Sequence, residues 1–246
     1  MKIPVFTMFK FAFLPVLAAL VLFLSGCDTL QSVANEAMRE PTSAEVNQGL
    51  KEALNRGVSN GVNALSARDG YFKSPYKILL PSEARTVTDR LRNVPGFSNL
   101  ENELLERINR GAEEAAKEAG PIFLSAIRAM TFQDAFNILM GPDNAATDYL
   151  RRTTYQQLYD KFNPVMVRAL DNIGANKLWR DATTAYNQIP LVNKVNTDLD
   201  DYVTNEALKG LFAKIEEEEK NIRRNPVART TALLQKVFAR QDRNRR

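Results

Sequence analysis

Residues 42–66 read TSAEVNQGLKEALNRGVSNGVNALS, and this stretch decides the fold class. Thr42 followed three positions later by Glu45 is the pattern of a capping box, in which each side chain binds the other residue's backbone N–H at a helix start. Apolar residues then recur every four positions, which places them on one helix face: Val46, Leu50, Leu54, Val58 and Val62. The stretch therefore predicts a long amphipathic helix that ends near Ser66.

The rest of the mature chain alternates apolar residues at helical spacing with proline and glycine stops. The stops are Pro95-Gly96, Gly120-Pro121, Gly141-Pro142, Gly174, Ile189-Pro190 and Asn225-Pro226. Thr131-Phe132-Gln133-Asp134 is predicted to open a helix that carries Phe136 and Leu139 and ends at Gly141-Pro142. The later helices are predicted at 143–152, 154–172 with a kink or break at Pro164, 175–187, 198–222 and 226–239. Residues 68–81 are too apolar for a free loop, so we expect an irregular segment against the body, with a short strand at 78–80 as an alternative. The fold class is all-α, a compact bundle of about nine helices with little or no β-structure.

The first 26 residues have the shape of a secretory signal peptide. Lys2 and Lys10 give a basic start, and the apolar run 11–24 would span only about 21 Å as a helix, against roughly 30 Å for the hydrocarbon core of a bilayer. Export followed by cleavage therefore fits the segment better than a permanent transmembrane anchor.

The leader ends in Leu24-Ser25-Gly26-Cys27, which resembles the lipobox of bacterial lipoproteins, where the cysteine sulfur receives diacylglycerol. Cys27 is the single cysteine of the chain, so we predict it as the lipid attachment site and membrane lipid as its partner. Asp28 resembles the residue that holds enterobacterial lipoproteins in the inner membrane and favours that membrane, although the outer membrane stays open. Residues 27–41 are predicted to be a flexible tether.

The composition excludes most familiar catalytic sites. The chain has no histidine and one cysteine, which rules out Ser-His-Asp and Cys-His catalysis, histidine-ligated zinc and intramolecular disulfides. We predict no catalytic residue, no metal site and no cofactor. The formal charge of +4 lies mainly in the leader and in a basic tail over 240–246, so no nucleic-acid partner is predicted.

A Gly-x-Ser-x-Gly match at residues 57–61 resembles a nucleophile elbow. It falls in the four-residue rhythm of the first helix, whereas an elbow needs a preceding strand and a general base. We therefore assign Gly57 and Gly61 to a close helix crossing or a bend.

Two groups of charged residues are candidates for an anion site or a structural clamp. In the run Glu216 to Glu219, Glu216 is spaced i to i+4 from Lys220 and Glu219 from Arg223. Acid-before-base pairs at this spacing are favourable, so we predict that the run lies on a solvated helix face. As an alternative, Glu217 or Glu218 holds Arg229 or Arg152 in a buried clamp. Arg151 and Arg152 precede Thr153-Thr154 at a predicted helix start, where backbone N–H groups and guanidinium groups would suit a phosphate or carboxylate; salt bridging is the alternative there.

Several runs resemble the bacterial family known as domain of unknown function 4197. They include Pro121-Ile122-Phe123-Leu124, Tyr149-Leu150-Arg151-Arg152-Thr153-Thr154, Glu217-Glu218-Glu219-Lys220 and Ala228-Arg229-Thr230-Thr231. The resemblance covers about Gln48 to Phe238. It implies a helical envelope lipoprotein and assigns no activity or catalytic residue.

Three functions follow as hypotheses for a protein facing the periplasm. The favoured one is a non-enzymatic interaction module that binds an envelope protein. The alternatives are a cell-wall-active enzyme and a carrier of an apolar ligand. Helical lytic transglycosylases place their catalytic glutamate directly before a serine, and the sequence contains no Glu-Ser pair.

Overall fold

A computed structural model of the chain describes residues 39–91, 98–172 and 198–244, with isolated positions between 174 and 194. These residues form eight α-helices and one 3-10 helix, with no strand among them, in the unit Thr42–Arg246. The helices are α1 (Ser43–Ser66), α2 (Ser82–Leu91), α3 (Leu100–Ala116), α4 (Ala119–Ala129), α5 (Phe132–Met140), α6 (Ala145–Asp171), α7 (Leu199–Arg224), the 3-10 helix Pro226–Ala228, and α8 (Ala232–Asn244). The all-α prediction is confirmed. The predicted leader, Cys27, Asp28 and most of the predicted helix 175–187 lie outside the described residues.

Helix α1 begins where the capping box places it. The Glu45 backbone N–H donates to Thr42 Oγ1 at 3.2 Å, and the Thr42 N–H donates to the Glu45 carboxylate at 2.7 Å. Thr131 and Asp134 open α5 in the same way. Both starts satisfy N–H groups that a helix end otherwise leaves without a partner.

Helix α7 packs against α1, α3 and α6, and its apolar face supplies much of the core. Leu208, Leu211 and Ile215 are at most 3% exposed. A Cβ atom on Gly61 of α1 would lie 2.9 Å from Ile215 Cδ1, so the glycine permits the close approach of the two helices. The Gly-x-Ser-x-Gly match therefore lies inside a helix, at a helix contact.

Helix α6 is continuous, and the predicted division into 143–152 and 154–172 is wrong. Pro164 lies inside it on the exposed side, where water can bond the carbonyl group that the proline leaves without a donor. Leu158, Phe162, Met166 and Leu170 form a buried row that spans the proline and packs both halves. Packing of this row outweighs the local signal to stop.

The last helix, predicted over 226–239, both begins and ends later in the chain. After the Asn225-Pro226 corner it begins at Ala232 and continues to Asn244, into the segment assigned to a basic tail. Gln241 is 3% exposed and Asp242 binds Arg229, so this part of the segment belongs to the packed domain.

The segment between α1 and α2 lies against the body, as predicted, without forming a strand. The Asn109 side chain of α3 accepts from the Ile78 N–H at 2.8 Å and donates to the Ile78 carbonyl at 2.9 Å. Tyr71 is fully buried and its hydroxyl donates to the Ala207 carbonyl of α7 at 2.8 Å. Side chains thus replace the partner strand that residues 78–80 would otherwise need.

Candidate functional site

The most buried ion pair among the described residues lies where α5 ends, α6 begins and α7 approaches its last turn. Glu219 and Arg223 stand one turn apart on α7 and are 7% and 1% exposed. Arg223 Nε donates to Glu219 Oε1 at 2.9 Å. Burial of two charges is costly unless each finds further partners, and both do.

Glu219 binds the first turn of α6. Its carboxylate accepts from the Ala146 N–H at 2.9 Å and from the N–H and hydroxyl of Thr147 at 2.8 Å each. The negative charge also lies at the positive end of the α6 dipole. Asn144, the residue before α6, makes no capping bond with its side chain, so Glu219 takes over that role from another helix.

Arg223 binds the last turn of α5. Its Nη2 donates to the Ile138 carbonyl at 2.7 Å and its Nη1 to the Leu139 carbonyl at 3.2 Å. Both carbonyls lie in the last turn of α5, and the Ile138 carbonyl also accepts from the Gly141 N–H at 3.2 Å. A positive charge suits the negative end of the helix dipole. Burial lowers the pKa of Arg223, while Glu219 counteracts the shift and the guanidinium stays charged.

Arg229 holds the end of α7 in a similar way. Its guanidinium donates to the carbonyls of Ile222 and Arg223 at 3.0 and 2.8 Å, and it forms two bonds to Asp242 at 2.5 and 3.0 Å. It lies 5.3 Å from the centre of the Phe238 ring and is 4% exposed. Arg229 thereby joins the end of α7 to α8.

The predicted partners of Arg229 lie elsewhere. Glu217 and Glu218 bind Lys214 Nζ at 2.7 and 2.9 Å, and Tyr76 donates to Glu217. Burial opposes the charge of Lys214, but its two carboxylate partners outweigh burial and raise its pKa. The predicted clamp of Glu217 or Glu218 with Arg229 or Arg152 is therefore wrong: Arg229 binds Asp242, and the buried acid of α7, Glu219, binds Arg223 of the same helix.

The ion pairs predicted within α7 are both present. Glu216 binds Lys220 with both side chains partly exposed. The Glu219–Arg223 pair was predicted on a solvated face, and that part of the prediction is wrong because this face of α7 turns into the bundle.

Arg151 and Arg152 are exposed and lie about two turns inside α6. The N–H groups that an anion would need are at the start of the helix, near Ala146, and Glu219 already binds them. The Arg151 guanidinium lies 5.0 Å from the centre of the Phe212 ring. The structure therefore places these two arginines away from the predicted kind of anion site.

Two buried polar residues on α3 were not predicted. Glu113 accepts from the Tyr71 and Phe72 N–H groups at 3.2 and 3.1 Å and binds Arg110 at 2.8 Å. With Asn109 it fixes the segment before α2 to the bundle. Asn109 and Glu113 directly follow Ile108 and Ala112, which belong to the buried row of α3. A polar residue next to a buried row was the sequence signal that could have predicted their burial.

A cavity of about 20 Å³ lies beside the Glu219–Arg223 pair, between α1, α6, α7 and α8. That volume suits one water molecule. Within the described part of the chain, no three potential metal-ligating side chains come together. No helix there has the length and apolarity of a membrane-spanning segment.

The comparisons with known proteins bear on the family alone. No curated protein and no solved structure matches the chain. A family model described as a protein of unknown function, DUF4197, matches residues 40–239. That range contains α1 to α7, both buried arginines and most of α8, and on this match the chain belongs to the DUF4197 family.

Proposed function

We propose that this chain is a lipid-anchored protein of the bacterial cell envelope whose helical domain faces the periplasm and binds another envelope protein without catalysing a reaction. The leader over residues 1–26 and the lipobox-like ending at Cys27 support the anchor. Asp28 favours the inner membrane.

The binding role is supported by the hydrogen bonds of the two buried charged residues, Glu219 and Arg223. Both carboxylate oxygens of Glu219 accept hydrogen bonds from α6 or Arg223, and Arg223 Nη1 and Nη2 donate to carbonyls of α5. A catalytic acid or base has to reach the proton that it transfers. These groups reach helix ends instead, which fixes the angles between helices and suits a rigid binding surface.

The cavity beside Glu219 is too small to hold a carried apolar ligand. Its 20 Å³ compares with about 300 to 1,000 Å³ for pockets that enclose drug-sized molecules.

The anchor is tested by metabolic labelling with a palmitate analogue. We expect the wild-type protein to carry the label, and we expect Cys27→Ala to lose it and to accumulate as a longer precursor. Label retained in Cys27→Ala would refute the assignment.

The binding role is tested by crosslinking in intact cells followed by purification, with Cys27→Ala as the control for location. We expect one envelope protein to be recovered reproducibly with the wild type and not with the control. Release of fragments from peptidoglycan by the purified protein would favour the enzyme, and a lipid that copurifies would favour the carrier.

A further inference from the structure

Two exposed phenylalanines stand one turn apart on α5. Phe132 is 60% exposed and Phe136 is 40% exposed. The Arg240 guanidinium of α8 lies 5.3 Å from the centre of the Phe136 ring, and Lys236 stands one turn before it on α8. We call Phe132, Phe136 and Arg240 the aromatic–basic patch; the Lys236 side chain is only 16% exposed and is paired with Glu45, so Lys236 lies outside the patch. Basic groups beside exposed aromatic rings are typical of surfaces that rest in the headgroup region of a membrane.

The chain that leads to Cys27 leaves the domain close to this patch. Thr231 donates to Glu52 at 3.1 Å, and Lys236 binds Glu45 at 2.9 Å, so α8 runs antiparallel to the first half of α1. Arg240 lies one turn beyond Lys236, on the side toward Thr42, where α1 begins.

The length of the tether keeps this end of the domain near the anchor. Fourteen residues separate Cys27 from Thr42, and they span at most about 50 Å when fully extended. A short tether gives a weakly binding surface a high effective concentration at the bilayer. The tether is therefore long enough for the patch to reach the lipid.

We propose that the aromatic–basic patch docks on the membrane surface, with Phe132 and Phe136 among the headgroups and Arg240 beside the phosphate of an anionic lipid. The proposal rests on the proposed anchor at Cys27. In this proposal the patch binds lipid, and the envelope protein binds a different face of the bundle.

The test uses full-length protein purified from cells and reconstituted into vesicles of phosphatidylethanolamine and phosphatidylglycerol. Acylation blocks Cys27, so a cysteine introduced by Gln133→Cys takes an environment-sensitive dye at one place. Gln133 is exposed beside Phe132 and bonds Asn137 one turn later at 2.8 Å. Gln156→Cys on α6 is the matched control, since Gln156 is also exposed and bonds Asp160 at 2.8 Å.

We expect the dye at position 133 to shift to the blue and to be quenched severalfold more by a lipid-borne quencher than the dye at position 156. Phe132→Ser with Phe136→Ser should abolish the difference, and Arg240→Gln should reduce it in vesicles that contain phosphatidylglycerol. The two phenylalanines are exposed, so circular dichroism should find the double variant folded.

Equal emission at the two positions, in protein recovered with the vesicles, would overturn the docking while leaving the anchor intact. Protein that does not float with the vesicles would overturn the anchor and the docking with it. A blue shift that needs a protein extract instead of lipid would assign the patch to a protein partner and also overturn the proposal.

Discussion

At the scale of single residues, Glu219 and Arg223 carry the most consequential interactions in the bundle. One pair of side chains satisfies the start of α6 and the end of α5 together. A capping residue within each helix would satisfy the same groups, but Glu219 and Arg223 also fix α5 and α6 to α7.

Removal of Arg223 is expected to be costly because it leaves Glu219 buried without its cation. We expect Arg223→Ala to lower the free energy of unfolding by about 3 to 5 kcal/mol, as for other broken buried pairs. Lys117→Ala is the control, because Lys117 and its partner Glu114 have side chains that are 55% and 62% exposed. An exposed pair contributes at most about 1 kcal/mol. Urea denaturation gives both values, and equal losses would show that burial of the pair does not matter.

Arg229 offers a second comparison at this scale. It is 4% exposed and binds two carbonyls and Asp242, whereas Arg152 is exposed on α6. We expect Arg229→Ala to lower the free energy of unfolding by about 3 kcal/mol and Arg152→Ala by less than about 1 kcal/mol. Thermal and urea unfolding measure both, and equal midpoints would mean that the Arg229 contacts contribute little.

The sequence predicts the i to i+4 spacing of Glu219 and Arg223 but places the pair on the wrong face. Because four glutamates follow one another, the local sequence does not show which of them faces the core. The signal was the buried row of Leu208, Leu211 and Ile215, which reaches Glu219 at the next interval of four. Partners on other helices follow from tertiary packing, which spacing along one helix does not encode.

At the scale of elements, helix starts were predicted best where a side-chain cap is present. Thr42 and Thr131 mark starts that agree with the structure to the residue. The prediction of a start at Thr154 fails, because the Thr154 hydroxyl donates back to the Leu150 carbonyl at 2.6 Å inside a continuous helix. Local patterns thus predict the caps, while long-range packing decides whether a helix passes through a proline.

The segment between α1 and α2 depends on one amide. Asn109→Ala leaves the N–H and carbonyl of Ile78 without their partner in a buried place, since Ile78 is 2% exposed. We expect a loss of about 2 to 4 kcal/mol together with faster hydrogen exchange at Ile78. Asn102→Ala on the same helix is the control, because Asn102 is exposed and its amide donates to the Asn99 side chain at 2.9 Å. Unchanged exchange at Ile78 would show that the segment is held by other contacts.

At the scale of the whole molecule, the ionic contacts predict how stability depends on pH. A hydrogen bond from Arg110 lowers the pKa of Asp69, and a bond from the Thr131 side chain lowers that of Asp134. Lys214 and then Tyr76 lower the pKa of Glu217. Burial raises the pKa of Asp200, which acts in the opposite direction. The chain has no histidine, the side chain that ordinarily titrates near neutral pH.

We therefore expect the urea midpoint to stay constant from pH 6 to 8 and to fall below about pH 4. Each of the three carboxylates binds a proton less readily in the folded state than in the unfolded state. Its contribution is complete above the unfolded pKa, which is about 4, and is lost as the pH falls through the lower folded value.

In a variant with Asp69→Asn, Asp134→Asn and Glu217→Gln the difference between midpoints at pH 7 and pH 3.5 should shrink. In Asp160→Asn, which removes an exposed carboxylate bonded to Gln156, that difference should stay close to the wild-type value. A triple variant with the full wild-type loss in acid would contradict the assignment and move the acid sensitivity to other carboxylates of the bundle.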